Sequence, residues 1–301
     1  MRFALFEQVA GANASPPRLG LVTRDGVVAI DIVSAPSAGR ALKQAITDFV
    51  ALSPRLEDLA ARSEAIPLEH VRLLPPLASP AKILCTLRLP MQHTDTDEQL
   101  HVFVKSPGST IGDSGEVVLP RLAGAEVFTH NACLALVIGQ RCRAVAASDW
   151  REVVFGYTAM VDITARSATL ARWKDGLSAL GSSCDTFGPL GPVIVARAEI
   201  EERVGFELRL WCGGELRQHA RFDDLDERIG TVIERASSVM TLQPGDVIAI
   251  DGTTAGQGPL QDGDAVQVEL SQVGRLSVSV RDPWGREWDR SIRVESGAVT
   301  V

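Results

Sequence analysis

From residue 82 onward most apolar residues fall in runs of only four or five, interrupted by polar and turn-forming residues. This punctuation limits the fold more than any other feature of the chain. Lys82-Ile83-Leu84-Cys85, Leu134-Ala135-Leu136-Val137-Ile138, Pro192-Val193-Ile194-Val195 and Val247-Ile248-Ala249-Ile250 are such runs, each with β character. Residues 205–211 alternate polar and apolar, as a half-buried strand requires, and Cys212-Gly213-Gly214-Glu215 turns the chain into a partner strand. Pro259 to Asp264 introduces a further hairpin over Ala265–Leu276. Against all this stands one substantial helix, Asp224–Met240. In it Leu225, Ile229, Val232, Ile233, Ala236, Val239 and Met240 recur with the 3.6-residue period. Many strands with one helix predict a sheet-rich, mixed domain.

The first part of the chain reads as a smaller α+β unit. Leu19–Thr23 and Val27–Ile30 flank an Asp25-Gly26 turn, a hairpin signal. Leu42, Ala45, Ile46, Phe49 and Val50 predict a helix over 40–52, and a second follows at 56–63 after a break at Ser53-Pro54. The proline-rich stretch from Leu74 to Pro80 continues neither helix nor central strand, so it is read as a linker. The expected organisation is a small α+β domain at 1–78 and a larger β-rich domain at 79–301, an α+β protein overall.

Composition removes several functions. The 301 residues carry 38 Asp+Glu against 30 Lys+Arg, a net charge of −8. A nucleic-acid binder needs a basic stripe to neutralise phosphates, and an anionic membrane surface attracts basic segments, so neither partner is expected. No apolar run approaches the roughly 18 residues needed to cross a bilayer, and Glu7 stands where the apolar stretch of a secretory leader would continue. Five cysteines, an odd number without a C-x-x-C pair, argue for reduced thiols in a cytoplasm. The sequence has no G-x-G-x-x-G, G-x-x-x-x-G-K-[ST] or G-x-S-x-G motif, so nucleotide binding and serine hydrolysis lack their usual signals. A small-molecule ligand is the expected partner.

Five segments share an order and spacing that go further. They are Leu74-Pro75-Pro76 with Lys82–Cys85, Gly156–Arg166, Asp185-Thr186-Phe187-Gly188-Pro189-Leu190-Gly191-Pro192, Gly214–Gln218, and Leu242–Ile248 with Gly252–Pro259. Together, over roughly residues 74 to 275, they resemble the fumarylacetoacetate hydrolase family. The resemblance implies a β-roll catalytic domain behind a small N-terminal domain, usually in a homodimer. It also implies activity on short oxo- and dioxo-acids: acylpyruvate-type carbon–carbon hydrolysis, decarboxylation, tautomerisation or hydration. Members of this family usually hold Mg²⁺ or Mn²⁺ through a Glu-x-Glu pair on one strand and an Asp on the next, and the cation stabilises the enolate that forms.

This chain departs from that pattern. The Glu-x-Glu positions hold Asn131 and Cys133, and only the third ligand position is kept, as Asp162. Ser182 replaces an expected lysine and Val161 an expected Asn. An amide, a thiol and one carboxylate suit Mg²⁺ poorly, so no metal and no other cofactor are expected. The resemblance carries His93 over as general base, Lys105 and Asp162 as further catalytic residues, and Arg166 and Thr253 as substrate contacts, and Gly252 joins these through close backbone approach to a ligand. Asn131 and Cys133 complete the substrate-binding set by position. Cys133 has a plainer reading as a buried, inert thiol, since a thiolate beside Asp162 is disfavoured. Gly252 is first a turn former, and His130 is expected on the opposite side of its strand from Asn131. Residues 88–101 are expected to form a lid, and Asp282–Trp288, with two tryptophans, to face a partner subunit. The functional alternative is a non-catalytic member that keeps the fold for binding or assembly.

Overall fold

A computed structural model describes the chain apart from residues 11–12, 79, 90–98, 123–124, 126, 167–178, 224, 254, 292, 296–297 and 301. The N-terminal segment forms β1 (Arg2–Ala10), β2 (Arg18–Val22), β3 (Val27–Ala29), α1 (Ala38–Thr47), α2 (Phe49–Arg62) and β4 (Val71–Leu74). The remainder forms β5 (Ile83–Leu89), β6 (Gln99–Lys105), β7 (Glu116–Val118), β8 (Val127–Ile138), β9 (Val154–Arg166), β10 (Gly188–Ala196), β11 (Phe206–Cys212) and β12 (Glu215–Phe222). After these come α3 (Leu225–Val239), β13 (Val247–Asp251), β14 (Ala265–Leu270) and β15 (Gly274–Arg281). Shorter pieces join them, and the mixed α+β class is as expected.

The large sheet has the order β3-β2-β1-β10-β9-β8-β13-β5-β6, with β4 also paired to β1. A second sheet has the order β12-β11-β14-β15-β7. At the centre of the large sheet, every residue of β8 and of β9 is buried. Covered on both faces, such strands read as continuous apolar runs rather than as alternation. Leu134, Leu136 and Ile138 pack on one side, into a core shared with Leu208, Leu210, Val266 and Val268 of the second sheet and Ile229 and Ile233 of α3. Cys133, Ala135 and Val137 pack on the other side with Leu42, Ile46 and Leu56 of α1 and α2. The Gln243-Pro244-Gly245-Asp246 turn pins this centre. Asp246, fully buried, accepts from Lys82 N at 3.0 Å, Lys82 Nζ at 2.8 Å and Gln243 N at 2.8 Å. It thereby locks β13 parallel to β5, with Val247 opposite Ile83.

Two expectations need correction. The helical segment breaks at Asp48, which ends α1 and begins α2, while Pro54 lies inside α2. That break turns Phe49 inward against Phe3 and Phe155, with ring centroids 6.0 and 5.1 Å away, and leaves Val50 88% exposed. In α3 the buried stripe ends at Ser237, and Val239 is exposed. Within the tail, the Trp288 ring lies 5.9 Å from that of Phe128 and Arg286 stacks over both rings, while Trp284 is exposed. The described ends of the expected lid, 88–89 and 99–101, belong to β5 and β6, and its middle lies outside the described residues.

Candidate active site

β8 and β9 run antiparallel with Asn131 opposite Asp162, Thr129 opposite Thr164 and Cys133 opposite Met160. Directly opposed residues share a face, so Thr129, Asn131, Asp162 and Thr164 form a polar patch toward one end of the paired strands. Lys105, the last residue of β6, reaches that patch from the far end of the sheet.

Lys105 is fully buried and Asp162 is 7% exposed. Lys105 Nζ donates to Asp162 Oδ1 at 2.8 Å, to the Ile163 carbonyl at 3.0 Å and to the Ser182 carbonyl. An ammonium has three N–H donors, so all three are engaged. Lys105 therefore neutralises Asp162 and fixes a positive charge there, with no hydrogen left to bind a substrate carboxylate. Arg166, at the end of β9, is buried, and among the described residues its guanidinium makes one hydrogen bond, from Nε to Thr129 Oγ1 at 3.4 Å. Burial lowers its pKa, and Asp162 opposes that shift.

Beside this patch the ladder between β8 and β13 stops at Cys133–Asp251. Gln218 of β12 enters the gap. Its Oε1 accepts from Ala132 N at 3.0 Å and faces His130 Nδ1 at 3.2 Å. Its Nε2 donates to Asn131 Oδ1 at 3.1 Å and to the Thr253 carbonyl at 2.7 Å. The Thr253 hydroxyl accepts from Ala255 N at 3.1 Å, capping its own turn. Gly252 gives its N–H to the Ala132 carbonyl, and a Cβ there would come within 2.8 Å of Leu208 Cδ2. Packing thus accounts for that glycine.

Cys133 is buried in the apolar cluster with Cys85 and Met160. Burial first, and Asp162 second, push its thiol well above the ordinary value. A neutral thiol packed in this way fits the plainer reading. His130 lies on the other side of β8, and burial pushes it down to about 4, a neutral imidazole. His93 lies outside the described residues. A cavity of about 550 Å³ opens elsewhere, against Leu5, Arg40, Lys43, Leu77 and Pro244, and no residue of the polar patch lines it.

The family model for the C-terminal domain of fumarylacetoacetate (FAA) hydrolase matches residues 78–281. The chain belongs to this family. It is 32% identical over 286 residues to the maleylpyruvate hydrolase of Aquipseudomonas alcaligenes, covering 88% of this chain and 96% of that one. It is 33% identical over 225 residues to an oxaloacetate tautomerase of Bacillus subtilis (strain 168), covering 70% and 73%. The crystal structure of maleylpyruvate hydrolase from Sphingobium sp. SYK-6 in complex with manganese(II) ion and pyruvate is 32% identical, with a TM-score of 0.77. The match covers 94% of this chain and 99% of that one.

That manganese gives a standard for the donors of this family member. Asp162 Oδ1 is held by Lys105, Asn131 Oδ1 by Gln218, and the Cys133 thiol is protonated. A hard divalent cation needs several oxygen ligands in near-octahedral array, and this set does not fit one. Sequence reasoning missed Gln218, although the alternation of β12 places it at a buried position where an apolar residue would pack. It also missed Asp251, 3% exposed and in register with Cys133, which accepts from Thr86 Oγ1 at 2.7 Å.

Proposed function

We propose that the protein is an enzyme acting on a small 2-oxo or dioxo acid at the patch beside Asp162, without a divalent metal ion. The observation that carries this reading is the buried Lys105–Asp162 pair, which sets the Lys105 amine against the carboxylate that a metal would otherwise share. Hydrolysis, decarboxylation and tautomerisation of such acids all pass through an enolate, and charge on its oxygen is what the site must stabilise. Lys105 supplies the fixed positive field there. The Arg166 guanidinium suits a carboxylate in bidentate fashion, and His93 is the general base of this reading. The relatives named maleylpyruvate hydrolase and oxaloacetate tautomerase define the substrates to try first. The same reading takes residues 1–78 as a small domain beside a catalytic 79–301, and the protein as a cytoplasmic homodimer.

The test is turnover of maleylpyruvate, other acylpyruvates and oxaloacetate in buffer containing a chelator. Turnover that persists there and disappears in His93→Ala is the expected result. Activity abolished by chelator and restored by Mn²⁺ or Mg²⁺, or near-stoichiometric metal in the purified protein, would overturn the metal-free reading.

A further inference from the structure

We infer that Asn131 serves this site as a hydrogen-bond donor to the keto oxygen of the substrate, and that Gln218 is the positioning residue that turns it so. The inference rests on the metal-free reading above and extends it to two residues.

Where β13 leaves β8, the Ala132 N–H and the Thr253 carbonyl have no ladder partner, and the Gln218 carboxamide takes the place of the missing peptide group. A main-chain N–H only donates and a main-chain carbonyl only accepts. Gln218 Oε1 must therefore face Ala132 and its Nε2 must face Thr253. The side-chain oxygen and nitrogen are told apart by their partners. The second hydrogen of Nε2 then points at Asn131, so the Asn131 atom 3.1 Å away must be its oxygen. The second lone pair of Oε1 takes a hydrogen from His130 Nδ1, which leaves His130 Nε2 bare; that atom is buried and has no partner. All four hydrogen-bonding positions of Gln218 are used, so the amide has no freedom to flip.

With Oδ1 committed, Asn131 presents Nδ2 as its other end, and among the described residues that group donates to nothing. Asn131 stands directly across from Asp162, where Lys105 has no hydrogen left to give. The two residues divide the work of a cation between them: Lys105 supplies charge and Asn131 supplies the directed N–H. A preorganised donor at a developing oxyanion is worth about 10²–10³ in kcat.

Asn131→Asp is isosteric and keeps the bond from Gln218 through one oxygen, while turning an acceptor toward the substrate. In chelated buffer it is expected to lose about 10²–10³-fold in kcat. Its affinity for oxalate, a planar mimic of the enolate, is expected to fall about 10- to 100-fold by calorimetry, with the thermal midpoint retained. Gln218→Glu cannot donate, so Asn131 reverses and kcat falls again. Asn131→Asp that keeps metal-free oxalate affinity within about 3-fold of wild type overturns the inference, as does a Gln218→Glu protein that folds and turns over normally. If wild type turns nothing over without metal, the functional reading fails, while the oxalate titration of wild type against Asn131→Asp still decides the role of the donor.

Discussion

At the scale of single residues the site is governed by Lys105, whose ammonium is sealed in with three acceptors, one of them charged. Removing one partner of a buried ion pair strands the other charge and costs about 3–5 kcal/mol, whereas replacing both by neutral groups is far milder. Lys105→Met is therefore expected to destabilise by that amount in urea unfolding, and Lys105→Met/Asp162→Asn to recover most of it. Strictly additive losses would argue against a paired site. His130 gives a pH signature of its own. Burial lowers it from 6.5 to about 4. Between those values the unfolded chain binds a proton that the native state refuses, so stability is fully present above about pH 6.5 and falls as pH drops toward 4. The loss from this group is ~3 kcal/mol. His130→Asn keeps a donor for Gln218 and removes the titration, so its unfolding midpoint is expected to vary less between pH 4.5 and 7. Equal slopes for the two proteins would remove His130 from the account.

Elements were legible in the sequence where burial is simple. The β2–β3 hairpin forms as its Asp-Gly turn predicts, with Leu21 opposite Val28, and β11 keeps its strict in–out alternation. The helix break was misread because proline is a local signal, whereas the actual break at Asp48 serves Phe49, whose partners Phe3 and Phe155 are remote in sequence. The polar patch was half legible for the same reason. Asp162, Lys105 and Arg166 could be placed, but the saturation of Lys105 depends on carbonyls of Ile163 and Ser182, and the orientation of Asn131 depends on a glutamine 87 residues away. The turn at Gly256 supports that glutamine's neighbourhood. Gly256 has φ of +81°, and a Cβ on it would lie 1.7 Å from the Arg217 carbonyl. Backbone meets backbone there, so neither side yields cheaply. Gly256→Ala is expected to cost about 1–3 kcal/mol and to weaken oxalate binding by displacing β12 beside Gln218. An unchanged melting temperature would refute this.

At the scale of the whole molecule, the N-terminal segment is woven into the sheet rather than appended to it. β1 pairs with β2 on one side and with β10 on the other, Arg2 opposite Val195 and Phe3 opposite Ile194. One apolar cluster holds Phe3, Leu21, Leu42 and Leu56 together with Ile83, Ala135, Val137 and Ile194. Unfolding residues 1–78 alone would expose the inner face of β8 and leave β10 as a bare edge, a state with nothing to offset its lost burial. A single cooperative transition is therefore expected even though the chain is long enough for two domains. The sequence supplies the probe, because every tryptophan, from Trp150 to Trp288, lies beyond residue 78. Tryptophan fluorescence reports the roll alone, while far-UV circular dichroism also sees α1 and α2. Coincident urea midpoints in the two signals are the expected outcome. An earlier step in circular dichroism that fluorescence does not follow would mean that α1 and α2 melt on their own, and that the contacts of β1 with β10 are too weak to couple the two halves.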